Sequence, residues 1–275
     1  MALSVLNNIP SLVAQNELTV TQSSLQKTLF QLSSGSRINS GADDAAGLAI
    51  ANGLQANISA LTQSVQNANN GVGSLQVADG ALGQVTTLLN RAVTLATESS
   101  TGTVADSQRG ALDAEYQSIL AEINSIGSNT QFNGAAVFSA NSTSIFLSDS
   151  TSAGTTQIAV TTGALSASGT GGLSLTGNLL TQGAAQTELT SINAAIGNIA
   201  STRGQIGASV NRLQAASTVI SNEIQNLTTA EDGITAADIP TVVANLSKYS
   251  ILEQTGISAL AQANSQQQQV LNLLH

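Results

Sequence analysis

Few side chains in this 275-residue sequence could carry out chemistry, and those few are poorly arranged for it. There is no cysteine, which excludes disulfides, zinc fingers, iron–sulfur centres and thiolate nucleophiles. The single histidine, His275, is the last residue, so no multi-histidine metal site can form and a Ser–His–Asp arrangement is disfavoured. Asp43 and Asp44 stand side by side in the link SGSRINSGADDAAG, close to Arg37, yet no histidine or third carboxylate lies near them in sequence. Two acids immediately before a long helical pattern suit capping of its free N–H groups, or a contact with another subunit. Gly71 and Gly73 form GVG inside a helical stretch. A phosphate-cradling loop would need a preceding strand and a wider glycine motif, so close helix approach is the better reading. The chain is expected to have no catalytic, cofactor-binding or metal-ligating residue and not to be an enzyme.

Charge narrows the partners. Seven Lys+Arg against sixteen Asp+Glu give a net charge of −9, and Lys27 and Lys248 are the only lysines. Nucleic acid is thereby disfavoured as a partner, because its binding needs many cations to displace phosphate counterions. The opening segment MALSVLNNIPSLVAQNELTV lacks a basic n-region and a continuous apolar run, so it is not expected to be a secretory signal. No run of 18 apolar residues predicts a membrane span. A cysteine-free composition is compatible with a chain exported unfolded.

Whatever these residues do, long helices must position them. Leu54, Ile58, Leu61, Val65, Ala68, Val72 and Leu75 step by fours and threes, followed by Ala78, Leu82, Val85, Leu89, Ala92 and Ala96. This predicts a helix from about residue 44 to 98, roughly 80 Å long. A stammer-type slip is expected at Leu75–Ala78, where Asp79 takes the slot an unbroken repeat would have used. A second stripe, Leu112, Tyr116, Ile119, Ile123 and Ile126, stops at Gly127. A third runs Leu189, Ile192, Ile196, Ile199, Ile206, Val210, Leu213, Ile220, Ile224 and Leu227, with Arg203 and Ser217 in the two remaining slots. Together they predict a mainly α fold, an elongated helical coiled-coil bundle. With few charged flanking residues, register should depend on side-chain shape and on amide and hydroxyl contacts.

Residues 128–183 have a different character. AAVF (Ala135–Phe138), SIFL (Ser144–Leu147) and QIAV (Gln157–Val160) alternate with Gly/Ser/Thr/Asn clusters and predict two or three short strands and hairpins. TTGALSASGTGGLSLTG reads as flexible loop or weak strand. So small a β-region cannot make its own core and should lie against the bundle. Both chain ends are amphipathic. Leu18, Leu25, Leu29 and Leu32 line one face; Ile239, Val242, Val243, Leu246 and Tyr249 start a helix around Pro240, and Leu252, Ile257, Leu260, Val270, Leu271, Leu273 and Leu274 extend its apolar content. These ends either pair with each other or fold fully only against other subunits.

The strings LSSGSRINSGADDAAGLAIA (Leu32–Ala51), NTQFNG (Asn129–Gly134) and LEQTGISALAQANSQQQQVLNLLH (Leu252–His275) resemble bacterial flagellin, in the same order and over roughly residues 1–140 and 185–275. The resemblance implies a short form without large surface domains. Residues 1–42 and 236–275 would form the inner-tube coiled coil, 43–134 and 184–235 the outer-tube bundle, and 135–183 a short variable β-hairpin region facing solvent. It further implies a subunit that polymerises with itself into the swimming filament, with a flagellar hook–filament junction protein as the alternative. Family members are exported unfolded through a type III apparatus, without a cleaved signal peptide. Their partners are an export chaperone and the cap and junction proteins, and assembly takes place outside the cell.

The resemblance and the terminal stripes together give candidate subunit contacts at Leu18, Leu25, Leu29, Leu32, Arg37, Asp43, Asp44, Asp238, Leu246, Leu260 and Leu271. Arg91, Leu95 and Glu115 fall where flagellins carry the residues recognised by the vertebrate Toll-like flagellin receptor. Here Ala92, Val93 and Thr94 replace the charged residues usual between that arginine and leucine. In the link TAEDGITAADIP, Glu231 and Gly233 occupy positions where the family usually has arginines, so some intersubunit ion pairs should be absent.

Overall fold

The computed structural model describes residues 8–149, 157–168 and 172–272, with side chains described as far as Gln269. The fold is mainly α. Its helices are α1 (Ile9–Ser34), α2 (Ala45–Ser99), α3 (Asp106–Asn129), α4 (Gln182–Thr235) and α5 (Ile239–Asn272). Strands β1 (Gln131–Phe132) and β2 (Ala135–Ala136) form one antiparallel pair; β3 (Thr143–Phe146) and β4 (Gln157–Val160) form another. The chain divides into two compact units, Met1–Ala56 with Asn226–His275, and Asn57–Gln225.

In the first unit α1 and α5 run antiparallel. On α1 the inward positions repeat every seven residues: Ser11, Leu18, Leu25 and Leu32 alternate with Ala14, Thr21 and Thr28. Facing them are Val242, Leu246, Tyr249, Glu253, Gly256, Leu260 and Ala263. Leu18 approaches Gly256 closely, while Asn8 Nδ2 donates to the Ala263 carbonyl at 3.2 Å and Ser11 Oγ to Asn264 Oδ1 at 3.0 Å. Amide and hydroxyl contacts thus mark the register. Leu29 departs from the face expected of it: it is 46% exposed, and Thr28 is buried instead, its hydroxyl bonded to the Ser24 carbonyl. Leu252 and Ile257 are likewise exposed. Leu271 lies in the last turn of α5, but its side chain, with those of Val270, Leu273, Leu274 and His275, falls outside the described part.

In the second unit the buried seam of α2 is an unbroken seven-residue repeat. Leu61, Ala68, Leu75, Leu82, Leu89 and Ala96 alternate with Ser64, Gly71, Ala78, Val85, Ala92 and Ser99. The expected slip does not occur. Val65 and Val72 sit half-buried beside the seam, because the small residues Ser64 and Gly71 hold the inward positions and admit neighbours. A Cβ on Gly71 would come within 2.2 Å of Ile145 on β3 and 3.3 Å of Leu213 on α4. Alongside, Ser64 Oγ donates to the Ser148 carbonyl at 3.2 Å, and Asn67 Nδ2 to the Phe146 carbonyl at 3.3 Å. The β3–β4 hairpin therefore lies on α2, as a patch too small for its own core requires. Among the described residues there are four short strands, where two or three are expected. The additional strand is β1, joined to β2 of the expected AAVF run by Asn133-Gly134, both with positive φ, the two-residue turn that right-twisted strands favour.

Gly127 does not end its helix, which continues to Asn129. It is instead a place of close approach, since a Cβ there would lie 1.9 Å from the Leu165 carbonyl oxygen. The segment after β4, expected as flexible loop, is packed where described: Leu165, Ala167, Leu173, Leu175 and Leu179 are buried. It runs antiparallel along α3. Asn124 Oδ1 accepts from Ala167 N at 2.8 Å, Gln117 Nε2 donates to the Gly177 carbonyl at 3.3 Å, and Asp113 Oδ1 accepts from Leu179 N at 2.8 Å. Gly127→Ala is expected to destabilise the chain by about 1–3 kcal/mol through overpacking. Gly197→Ala, in open space on α4, should stabilise it by about 0.5–1 kcal/mol. Urea unfolding of the two variants checks this; equal midpoints would remove the close approach as an explanation.

Candidate assembly interface

The link residues proposed for subunit contacts first satisfy their own chain. Gly35, at φ 69°, ends α1, and its carbonyl accepts from Ala237 N at 2.9 Å. Arg37 covers the end of α4, donating from its backbone N to the Thr235 carbonyl at 2.7 Å and from Nη2 to the Ile234 carbonyl at 2.6 Å. A cation there complements carbonyls left without helical partners. Asp44 Oδ1 accepts from Gly47 N at 2.9 Å and caps α2, as its position predicts. Asp238, just before α5, accepts from Thr241 Oγ1 at 2.6 Å. Asp43 meets Lys27 Nζ at 2.8 Å, and its other oxygen accepts from the Asn39 and Ser40 backbone N–H groups. The Lys27 hydrogen bond, aided by the Asn39 N–H, holds the Asp43 carboxyl down to about 2. Glu231, standing where the resemblance implies arginine, faces the Gln55 amide, whose nitrogen, with the amide turned toward the carboxylate, donates to its two oxygens at 2.8 and 2.9 Å.

Apolar surface is concentrated in this first unit. On α1, Ile9, Leu12, Val13, Val20 and Phe30 are all more than half exposed, Phe30 by 70%. At about 100° per residue they fall within one arc of about 100°, opposite the seam that meets α5. The helix thus has two apolar faces, and among the described residues its own chain covers one. Of the proposed contacts, Leu18, Leu25, Leu32, Leu246 and Leu260 belong to the covered seam, and Leu29 does not. The second unit leaves only Val77, Leu180 and Val219 exposed among the described large apolar residues.

Ion pairs tie the helices of the second unit. Arg91 Nε and Nη2 meet the Glu115 carboxylate at 2.7 and 3.1 Å, and this contact lowers the Glu115 pKa and raises that of Arg91. Leu95, grouped with them in sequence, is 1% exposed and belongs to the core. Arg203 and Asp79 form a similar forked pair at 2.7 and 3.2 Å, with Asp79 lowered by the arginine. Arg203 stands in a gap of the α4 stripe, and Asp79 flanks the unbroken α2 seam beside Ala78. Spacing marks the gap at Arg203 but does not pair it with Asp79. Both pairs are partly exposed, and such pairs contribute about 0–1 kcal/mol.

Two buried polar groups escaped the sequence reading. Arg109, 6% exposed, donates to the Ser99 and Thr101 carbonyls at 2.9 and 2.8 Å and to Asp106 at 2.9 Å, locking the α2–α3 turn. Glu188, 4% exposed, accepts from the Tyr116 hydroxyl beneath Gly177, where a Cβ would strike the carboxylate. Burial, reinforced by that carboxylate, pushes the Tyr116 pKa up. Glu188 stands three residues after buried Ala185 and four before Ile192, a position the seven-residue frame marks as inward. Among the described residues no cluster of three His, Cys, Asp or Glu could hold a metal, and no helix is long and apolar enough to cross a membrane.

Asp43 sets a pH dependence. Its folded pKa lies below the ordinary 3.8, so its contribution is complete above about pH 4 and lost as pH falls through about 2. Asp43→Asn should therefore melt lower than the parent chain above about pH 4 and match it near about pH 2. A gap that stays constant across that window would contradict the Lys27 contact.

Residues 5–143 match the bacterial flagellin N-terminal helical region, and residues 189–274 the bacterial flagellin C-terminal helical region. A flagellin of Halalkalibacterium halodurans is 33% identical over 270 residues, 98% of each chain. The flagellar filament 30.7 kDa core protein of Treponema maltophilum is 31% identical over 280 aligned positions, again 98% of each. A solved Vibrio parahaemolyticus protein, assigned as flagellar hook-associated, superposes with a TM-score of 0.53 at 16% identity, covering 70% of this chain and 100% of that one. That likeness concerns the fold alone. With both helical regions matched and relatives aligned almost end to end, the chain belongs to the bacterial flagellin family.

Proposed function

We propose that the chain is the structural subunit of a bacterial flagellar filament and joins copies of itself through its terminal helices. The observation that carries this reading is the second apolar face of α1, exposed on a helix whose other face already meets α5. A helix apolar on both sides is at home in an interior, and a polymer of like subunits supplies one. A contact that repeats without closing gives an open helical polymer. In this scheme residues 1–42 and 236–275 line the inner tube, 43–134 and 184–235 form the outer tube, and 135–183 lie outward. Export through a type III apparatus, escort by a chaperone, and meeting cap and junction proteins outside the cell complete the reading. A filament subunit is favoured over a junction protein because the relatives matched almost end to end are a flagellin and a filament core protein.

Weak activation of a Toll-like flagellin receptor is the expected outcome in reporter cells given purified monomer. Supporting this are the buried Leu95 and the uncharged Ala92, Val93 and Thr94. Strong activation that is abolished by Arg91→Ala would reverse it.

Elongation of flagellar seeds, followed by electron microscopy, tests the filament reading. The parent chain should extend seeds without a length limit, whereas a junction protein stops after capping them. Val20→Asp, on the outward face of α1, should slow elongation at least about tenfold, equivalent to about 1.4 kcal/mol per contact. The monomer's stability should change by no more than about 0.5 kcal/mol. Growth unaffected by Val20→Asp would remove that face from the interface.

A further inference from the structure

The Asn57–Gln225 unit carries nine acids and four arginines. Three of the arginines are engaged within the chain: Arg91 with Glu115, Arg109 with Asp106 and Arg203 with Asp79. Arg212 is the fourth. It is exposed on α4 and has no hydrogen bond or ion pair among the described residues. Its own helix offers none, since the positions three and four residues away are Ala208, Ser209, Ala215 and Ala216. The nearest acid on its helix is Glu223, exposed and also without a partner among the described residues.

Between these charges lies Val219, 64% exposed and the most exposed large apolar residue of the unit. Val219 and Glu223 follow Arg212 by seven and eleven residues, which places all three within about 20° of one line on the helix, over about 16 Å. The line lies to one side of the buried seam Ile206, Leu213 and Ile220. A lone exposed valine needs no explanation. A valine between an unpaired cation and an unpaired anion, on a surface otherwise short of cations, has the make-up of a contact site.

We propose that the Arg212–Val219–Glu223 line of α4 docks against a second copy of the chain, with Arg212 paired to a carboxylate that the neighbour exposes. This rests on the filament reading. Charge complementarity selects the occupant: each copy presents a surplus of acids, Glu122 among them exposed and without a partner among the described residues, and a single uncommitted arginine in this unit. In a homopolymer every repeated contact then receives one such arginine and an acid to meet it. The contact belongs to the outer bundle and is independent of the apolar face of α1.

Seed elongation by variants tests it. Arg212→Glu should slow elongation about tenfold at low salt, and the deficit should shrink as salt screens the repulsion. Val219→Ser should cost less, about threefold. Both should keep the monomer's thermal midpoint. Arg212→Lys should elongate nearly as the parent does. Carbodiimide, which activates a carboxylate for attack by a neighbouring amine and leaves as the urea as the amide forms, should then link position 212 to an acid of another subunit in filaments but not in monomer. Mass spectrometry of the linked peptides names that acid. Parental growth by Arg212→Glu, or no intersubunit link at position 212, overturns the contact while leaving the filament reading intact. Failure of the parent chain to extend seeds overturns both.

Discussion

The Asn57–Gln225 unit depends on one packing constraint: the seam of α2 must be narrow enough for extended chain and a second helix to reach it together. Gly71 shows this most directly, because a single added carbon there would meet both Ile145 and Leu213. Extended chain brings unpaired backbone groups with it, and burying them costs free energy unless each finds a partner. The helices supply those partners. Ser64 and Asn67 take carbonyls of the β3 region, Ser99 Oγ donates to the Leu179 carbonyl at 2.6 Å, and Asn124 and Asp113 accept amides of the segment after β4. Among the described residues no buried side-chain nitrogen or oxygen is left without a partner. Small residues at the seam and short polar side chains beside it are two parts of one solution.

The same economy governs charge. With so few cations, each one spent inside the chain is lost to the surface, and the structure spends them where backbone or helices must be tied. Arg37 covers the last carbonyls of α4, Arg109 those at the end of α2, and Arg91 and Arg203 clasp neighbouring helices. What remains outside is a largely acidic surface. Like-charged copies repel one another, which favours contacts made through apolar surface or through the few cations still uncommitted. That requirement gives Arg212 and the outer face of α1 their interest.

Much of this was legible from residue spacing. The long helices, the hairpins AAVF, SIFL and QIAV, and the capping role of Asp44 follow from periodicity, β-propensity and position alone. The failures share a cause. Leu29 and Val72 look inward because apolar side chains define a stripe, yet Thr28 and Gly71 hold the buried positions. Gly127 looks like a stop because glycine breaks helices, whereas the chain packed along α3 at Leu165 is what excludes a side chain. Glu188 holds an inward position of its helix, but its partner Tyr116 comes from a distant segment, while Arg109 is buried by the turn it closes through Ser99, Thr101 and Asp106; an apolar stripe signals neither. Spacing reveals the face a helix would bury; which neighbour covers it depends on residues far along the chain.

This distinction bears on α1. Its inward seam holds three leucines among Ser11, Ala14, Thr21 and Thr28, and the outward arc holds Ile9, Leu12, Val13, Val20 and Phe30. The larger apolar share is therefore on the side its own chain does not cover. Burial contributes roughly in proportion to apolar area, so the outward face has more to gain than the inward seam supplies. The α5 side of the seam is modest too, with Glu253 and Gly256 among its inward residues. On the filament reading, neighbours that cover the outward arc bind the ordered hairpin and stabilise it by mass action. Assembly and ordering of the terminal helices then become one linked equilibrium. A hairpin with a weak internal seam and a strong external face favours a subunit that is marginal alone and firm once neighbours in the polymer cover it.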